Sequence, residues 1–184
     1  MKVFKVAFSG THCTGKSKIV QLLAENLPNC SVIDEVFRES WARIESLGLE
    51  KLKQSENLTL HTFHSQILKE IETHSKHQIL LADRTAFDCF VYHRVLNKGT
   101  VESLSFKQTR KLALAHLENY DKIFISEPFD EEIEDDGFRH KDKAFQILIY
   151  RYFLRAYKNR ENVVFFDKTI TTDEKLDMVF RLIK

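Results

Sequence analysis

The chain has 184 residues, of which 43% are hydrophobic, so it can form one domain with a sizeable core and is not a disordered protein. Lysine and arginine total 28 against 27 aspartate and glutamate, and this near-neutral charge argues against extended contact with nucleic acid, although a local basic patch stays open. No apolar run approaches the roughly 18 residues of a membrane span, and three cysteines without C-x-x-C spacing predict free thiols in a reducing cytoplasm.

A glycine-rich turn follows the first predicted strand. Residues 3–9 are rich in Val, Phe and Ala, as buried parallel strands are, and residues 16–27 carry aliphatic side chains at helical spacing. Between them, residues 10–17 read GTHCTGKS, a complete G-x-x-x-x-G-K-[ST] motif. Strand, loop and helix in this order are the context in which the motif forms a phosphate-binding P-loop.

The P-loop predicts the binding of a nucleoside triphosphate. Its backbone N–H groups would surround the β-phosphate, Lys16 would reach the β- and γ-phosphates, and the hydroxyl of Ser17 would bind Mg²⁺. The predicted nucleotide-binding residues are Gly10, Thr11, His12, Cys13, Thr14, Gly15, Lys16, Ser17 and Lys18. By itself the motif does not distinguish ATPases, GTPase switches and kinases.

Strands and helices alternate through the rest of the chain. Further strands are predicted at 30–35, 78–84, 122–128 and 162–167, and helices at 36–75 (interrupted near Leu47-Gly48), 85–96, 103–119, 143–159 and 172–184. This alternation predicts a single domain, 1–184, with a three-layer α/β/α fold around a five-stranded parallel sheet. Ligands bind at the carboxyl ends of such strands, so the residues that follow each strand are the site candidates.

Two acidic residues, Asp34 and Glu35, follow the second predicted strand, and Arg38 lies one turn further on. A carboxylate here could take the proton from an acceptor hydroxyl, while Arg38 could bind polar groups of the acceptor. The sequence does not separate Asp34 from Glu35. Two alternatives are a Walker B motif, for which the segment lies early, and acidic residues that simply favour a helix start.

Asp83 and Arg84 follow the third predicted strand. Asp83 ends an aliphatic run and is the better Walker B carboxylate, which could hold Mg²⁺ directly or through water. Arg84 occupies the place where hydrolytic ATPases commonly have a glutamate, and a guanidinium is suited to holding a phosphate or an acceptor. The alternative is a structural salt bridge at the sheet edge.

Two further regions could complete the site. The loop at 129–142 changes from acidic to basic at Gly137, so Arg139 could close over the phosphates as part of a lid, unless the charges form a merely solvated surface. On the helix before the third strand, Phe63 could stack on a ring of the acceptor and Gln66 could hydrogen-bond to it. Phe63 also has the spacing of a core residue.

Taken in order, GTHCTGKS, DEVFRES, LADRT and EDDGFR resemble the P-loop kinases of the thymidylate and deoxynucleoside kinase group. They are most similar to the AAA-labelled kinase-like domains that include the nicotinamide-riboside kinase part of NadR-type proteins, a set with members in bacterial viruses. The matching residues are Glu35, Arg38, Glu39, Asp83, Arg84 and the lid segment Asp136-Gly137-Phe138-Arg139. The resemblance implies an ATP- and Mg²⁺-dependent kinase of small molecules with sheet order 2-3-1-4-5. Val36-Phe37 departs from the family pattern, so the acceptor can differ.

The motifs favour a kinase that moves the γ-phosphoryl group of ATP to a hydroxyl or phosphate of a nucleoside, nucleotide or ribosyl compound. Lys16 and Arg139 would neutralise the moving group. Ser17 and Asp83 would hold Mg²⁺, and Glu35 would orient or deprotonate the acceptor.

Two alternatives stay open. A nucleotide-binding switch that uses GTP would carry [NT]-K-x-D after a late strand, and neither NKGT (97–100) nor FDKT (166–169) has this pattern. A kinase acting on a modified base or an end of DNA or RNA needs only a pocket for one flipped nucleotide. The sequence makes no prediction of the oligomeric state.

Overall fold

The computed structural model describes residues 3–49, 55–73, 78–98, 100–130 and 142–183, in which strands and helices alternate. The strands are β1 (Phe4–Ser9), β2 (Cys30–Ile33), β3 (Ile79–Asp83), β4 (Lys122–Ser126) and β5 (Val163–Phe166). The helices are α1 (Lys16–Asn26), α2 (Val36–Ser46), α3 (Glu56–Thr73), α4 (Asp88–Leu96), α5 (Leu104–His116), α6 (Lys143–Tyr157) and α7 (Thr172–Ile183). None of these helices is long and apolar enough to cross a bilayer.

The strands form one parallel five-stranded sheet in the order β2-β3-β1-β4-β5. This confirms both the predicted fold class and the strand order that the resemblance implies. Within the sheet, Phe8 of β1 is in register with Asp83 of β3 and with Phe124 of β4. The loops after β1 and β3 therefore leave the sheet at the same edge.

Helices cover both faces of the sheet, which gives the three predicted layers. On one face, α3, α4, α5 and α6 contribute to a large apolar cluster that includes Phe90, Phe106 and Phe153. On the other face, α1 and α7 pack over Phe8 and Phe124, whose rings stack with centroids 5.3 Å apart. Each fully buried side chain of this size stabilises the fold by about 1.5–3 kcal/mol relative to exposure.

Several element ends differ from the sequence predictions because local turns take over. β2 ends at Ile33 instead of residue 35, so Asp34 and Glu35 lie in the loop before α2. The helical stretch predicted at 36–75 is interrupted near Leu47-Gly48, as expected: α2 ends at Ser46, Gly48 adopts a positive φ of 65°, and α3 begins at Glu56. α4 begins at Asp88 and not at residue 85, since the Asp88 carboxylate accepts hydrogen bonds from the backbone N–H and hydroxyl of Thr85.

Candidate active site

The P-loop connects β1 to α1 in a tight turn. Gly10 and Gly15 have φ angles of 117° and 77°, which glycine adopts at little cost. A Cβ on Gly10 would lie 3.4 Å from the side chain of Ile125 and 3.5 Å from the carbonyl of Ser126, so the backbone passes close to β4. No side chain caps the N-terminus of α1 in the described part of the chain. Its backbone N–H groups can therefore bind an anion.

Lys16 lies buried inside this loop. Its Nζ donates to the backbone carbonyl of Thr11 at 2.5 Å and to the Thr14 hydroxyl at 3.4 Å. Burial, and next the nearby Arg84 guanidinium, lower the pKa of Lys16 to about 8. The folded protein therefore disfavours the charged ammonium, and a phosphate is the kind of group that would compensate for this.

The hydroxyl of Ser17 donates to Oδ2 of Asp83, which joins the first turn of α1 to the end of β3. Asp83 is buried, and its Oδ1 has no hydrogen-bond partner among the described residues. An orphaned carboxylate oxygen beside a hydroxyl fits Mg²⁺, which proteins usually bind through one or two carboxylates with phosphate and water oxygens. No group of three or more His, Cys, Asp or Glu residues suited to a metal occurs in the described ranges.

Glu35 is held between two arginines. Its Oε1 accepts from Arg84 Nε at 2.5 Å, and its Oε2 accepts from Arg38 Nε at 2.8 Å. Burial alone would raise the pKa of this carboxyl, but Arg84 and Arg38 outweigh that effect and lower the pKa to about 2. Glu35 is therefore ionised at neutral pH and is a weak proton acceptor. Asp34 is exposed and does not line the cavity beside Glu35, so the structure distinguishes two neighbours that the sequence could not.

Arg84 links the P-loop to the region around Glu35. Its Nη1 donates to the carbonyl of Gly10 at 3.1 Å and lies 3.7 Å from Oδ2 of Asp88. Its guanidinium also sits 5.2 Å from the centre of the Tyr92 ring. The residue has a φ of 101°, which is rare for a side chain with a Cβ. These contacts hold Arg84 in a conformation that the backbone alone disfavours.

Asp88 is a site residue that the sequence analysis missed. It is buried, and its Oδ1 accepts hydrogen bonds from the hydroxyl groups of Ser9 at 2.7 Å, Thr85 at 2.5 Å and Tyr157 at 3.3 Å. Burial raises the pKa of this carboxyl. The spacing Thr85-x-x-Asp88 is that of a capping box, and this signal could have identified the turn before α4.

A cavity of about 340 Å³ opens beside Glu35 and Arg84, a size suited to a small molecule. It lies between α2, α3, α4 and the start of α6, and His12 of the P-loop lines it. Its apolar and aromatic lining includes Val36, Phe37, Trp41, Leu58, Tyr92, Leu96 and Phe145. Its polar lining includes Arg38, Thr59, Thr62, Gln66, Arg84, Asp88, His93 and Asn97.

The structure brings together most of the predicted acceptor residues. Glu35, Arg38, Gln66 and Arg84 line the cavity, and Gln66 donates to the Arg84 carbonyl at 3.5 Å. Phe63 instead packs in the core, with its ring 5.8 Å from that of Phe90, and it does not line this cavity. Phe63 and Gln66 both lie on α3, and helical spacing alone does not show which of its buried side chains face the cavity and which face the core.

The remaining predicted residues lie around the loop or outside the described ranges. Cys13 is partly buried with a φ of 55°, while Ser17 and Lys18 are exposed. The P-loop is held from α6, because Gln146 donates to the His12 carbonyl at 2.8 Å. Arg139 and residues 131–141 of the predicted lid lie outside the described residues, so the structure neither supports nor contradicts their role.

Comparison with known proteins places the chain in a family. The profile of the AAA domain family matches residues 5–174. Comparison with curated proteins gives no match.

Solved structures share the fold along the whole chain. A thymidylate kinase from Candida albicans superposes with a TM-score of 0.69 at 14% identity, covering 99% of this chain and 91% of its own. Two NadR structures give TM-scores of 0.67 (with NAD and AMP-PNP) and 0.68 (with NR) at 20% and 22% identity. Both alignments cover 98% of this chain, but they cover only 49% of the first NadR chain and 52% of the second. The chain therefore spans about half the length of NadR.

The motif order predicted a P-loop kinase-like chain, and this prediction is confirmed. The family profile covers most of the sequence, and the structural neighbours are the same two groups that the motifs resemble. At these identities the neighbours establish the fold and not the activity. The chain belongs to the AAA domain family, and its fold is that of the P-loop kinases.

Proposed function

We propose that the protein is an ATP- and Mg²⁺-dependent kinase, built as one domain, that transfers the γ-phosphoryl group to a nucleoside, nucleotide or ribosyl compound. The observation that carries this proposal is the cavity of about 340 Å³ beside the P-loop, which His12, Glu35 and Arg84 line. A nucleotide switch or a simple hydrolase needs a place for water but no largely apolar pocket for a second molecule.

The donor half of the site binds the nucleotide. Lys16 exchanges its carbonyl partner, Thr11, for oxygens of the β- and γ-phosphates, which compensates for the burial of its ammonium. Ser17 and Asp83 would hold Mg²⁺, which when bound neutralises phosphate charge. Arg139, in the predicted lid, adds a further positive charge.

The acceptor half orients the second substrate. The carboxylate of Glu35 accepts a hydrogen bond from the attacking hydroxyl and directs its oxygen toward the donor site. Because its pKa is about 2, Glu35 positions the hydroxyl more than it removes the proton. A weak base suffices, since phosphoryl transfer passes through a loose transition state: the hydroxyl proton becomes acidic, and passes to Glu35, only as the new P–O bond is completed and ADP leaves.

The structural neighbours support this proposal. NadR binds AMP-PNP, an analogue of ATP, in one structure and NR in another, and the Candida albicans neighbour is a thymidylate kinase. We propose a cytoplasmic location with this activity, since Cys13, Cys30 and Cys89 all carry free thiols.

The test is a transfer screen with γ-labelled ATP and Mg²⁺ against nucleosides, their monophosphates, nicotinamide riboside and DNA with modified bases. We expect labelled product from at least one small acceptor, and none from a Lys16→Met variant purified in parallel. Transfer only to DNA would favour the nucleic-acid alternative. Slow release of labelled phosphate with every acceptor would refute the kinase proposal.

A further inference from the structure

The cavity beside the P-loop extends along α4. The first turn of this helix is tied to the end of β1, because Asp88 accepts from the Ser9 hydroxyl at 2.7 Å. One face of α4 lines the cavity from end to end, through Asp88, Cys89, Tyr92, His93, Leu96 and Asn97. At a rise of about 1.5 Å per residue, Asp88 and Asn97 are roughly 13 Å apart along the helix axis. The cavity therefore has a near end at the donor site and a far end at the last turn of α4.

The far end carries polar groups without charge. The Thr59 hydroxyl and Nδ1 of His93 are 3.0 Å apart, and the Asn97 amide lies 3.4 Å from the same nitrogen. Burial lowers the pKa of His93, which keeps its imidazole neutral at neutral pH. Neutral donors and acceptors among apolar walls suit the edge of a heterocyclic base and provide no counter-charge for a phosphate.

The near end has guanidinium groups, but they already face carboxylates. Glu35 accepts the Nε–H of both Arg84 and Arg38, and Arg84 has Asp88 as a second acidic neighbour. Among the described lining residues, two arginines thus stand against two acidic side chains. The carboxylate of Glu35 contacts both guanidinium groups, so a phosphate bound by Arg84, or by the more exposed Arg38, would lie beside its negative charge.

We propose that the acceptor is a nucleoside without a phosphate group, with its sugar hydroxyl at Glu35 and its base at the far end of the cavity. This inference rests on the proposed kinase activity and narrows its substrate. A hydroxyl donates to Glu35 and leaves both arginine contacts in place. The phosphate of a nucleoside monophosphate would stand beside the Glu35 carboxylate, and juxtaposed like charges discriminate strongly against a ligand.

The test compares each nucleoside with its own 5′-monophosphate, because the two members of a pair differ only in the phosphate. Cytidine, uridine, thymidine, adenosine and nicotinamide riboside, each with its monophosphate, are assayed for kcat/KM with saturating ATP and Mg²⁺. For the preferred base we expect the kcat/KM of the nucleoside to exceed that of its monophosphate by about 100-fold or more. Calorimetric titration of the unaltered protein with AMP-PNP and Mg²⁺ should show the same preference in binding.

A charge-removing variant tests the reason for the preference. Glu35→Gln keeps the shape of the side chain but removes the charge and frees Arg38 and Arg84 for a phosphate. We expect it to lower the ratio of nucleoside to monophosphate binding by about tenfold or more. The matched control is Glu72→Gln, an exposed glutamate of α3 outside the cavity lining, which should leave the ratio unchanged.

The outcomes separate this inference from the proposed function. Equal or better transfer to the monophosphates would overturn the inference and leave the kinase intact. An unchanged ratio in Glu35→Gln would overturn the charge argument. Absence of transfer to any member of any pair, with slow ATP hydrolysis alone, would overturn both proposals. If Glu35→Gln does not fold, the substrate pairs on the unaltered protein still decide.

Discussion

The donor and acceptor halves of the site are built in different ways. The donor half comes from one contiguous loop, 10–17, together with Asp83 at the adjacent strand end. The acceptor half draws its lining from α2, α3, the turn before α4, α4 itself and α6. A phosphate is bound largely by backbone N–H groups in a fixed conformation, which a short motif specifies. A substrate cavity is enclosed by side chains from elements far apart in sequence, so no single motif specifies it.

The two halves also differ in their electrostatics. In the donor half, Lys16 is buried with a lowered pKa, and one oxygen of Asp83 has no partner among the described residues. In the acceptor half, Glu35, Arg38 and Arg84 already satisfy one another. The first half therefore needs a charged ligand, whereas the second holds its charges in place without one. The following predictions test this contrast.

The largest effect is expected from Lys16→Met, which removes the donor-side cation. Transfer should fall by about 10³-fold or more, because the charge on the transferred phosphoryl group is no longer neutralised. Stability without nucleotide should instead rise at pH 7, by about 1–2 kcal/mol, since an apolar side chain replaces a buried ammonium. Enzyme assays and thermal unfolding measure the two effects.

The stability that Lys16→Met gains over the unaltered protein should depend on pH. The pKa of Lys16 is about 8 in the folded protein against 10.5 for an ordinary lysine, so between these values the unfolded chain binds more protons. The unaltered protein therefore gains stability from this group as pH rises from 8 toward 10, and the advantage of Lys16→Met should shrink. The exposed Lys111→Met on α5 is the control. If Lys16→Met were less stable than the unaltered protein at pH 7, this explanation would be contradicted.

Asp83→Asn should have the next largest effect. Transfer with Mg²⁺ should fall by about 10²- to 10³-fold, because the amide is a poor ligand for the metal. Binding of nucleotide without Mg²⁺ should persist, since the loop backbone is unchanged. Titrations of AMP-PNP with and without Mg²⁺ measure this difference, with the exposed Asp177→Asn of α7 as the control. Equal loss of binding under both conditions would assign Asp83 a structural role.

Arg84 tests whether the acceptor half can be impaired separately. Arg84→Ala should lower kcat/KM for the acceptor by about 10- to 100-fold, because Glu35 loses the partner that fixes it, while the KM for ATP changes less. Arg84→Gly should lose as much activity as Arg84→Ala but be about 1 kcal/mol more stable than that variant, since glycine tolerates the φ of 101°. Kinetics and thermal unfolding of the pair measure both effects. An alanine variant as stable as the glycine variant would show that the backbone relaxes.

The smallest effect on transfer is expected from Glu70, a buried carboxylate on α3 outside the cavity lining. It accepts from Tyr120 at 2.5 Å and from Gln66 at 3.2 Å, and it pairs with His116 at 2.9 Å. Glu70→Gln should destabilise the fold by about 2–4 kcal/mol, since it breaks this buried network. Phosphoryl transfer by the folded fraction should change little. A large loss of specific activity would instead show that the hydrogen-bond network around Glu70 contributes to the active site.

The pH profile of Glu70→Gln provides an independent check. Burial alone would raise the pKa of Glu70, but the hydrogen bonds from His116 and Tyr120 outweigh it and lower the pKa. The charge therefore stabilises the fold at neutral pH, and this contribution is lost as pH falls below the usual glutamate range. Urea unfolding at pH 7 and pH 4 should show a smaller difference between the two proteins in acid.

Local pattern was sufficient for much of the fold and for the loop between β1 and α1. Apolar runs identified all five strands of the sheet, and the P-loop motif identified the loop whose glycines have the required positive φ. The turn before α4 was missed because helical spacing extends through 85–87, whereas the Asp88 side chain competes for the backbone there. Such competition between a side chain and the backbone is weakly visible in spacing alone.

The sequence by itself determined the fold class and the nucleotide-binding loop, because both follow from periodicity and contiguous residues. Only the tertiary structure decided which acidic residue faces the cavity, Glu35 or Asp34, and that Gln66 lines it while Phe63 fills the core. It also placed the α4 face that carries Asp88 and Tyr92 beside Glu35 and Arg84. The physical reason is that periodicity shows which side chains are buried, whereas the packing of distant elements determines what they are buried against.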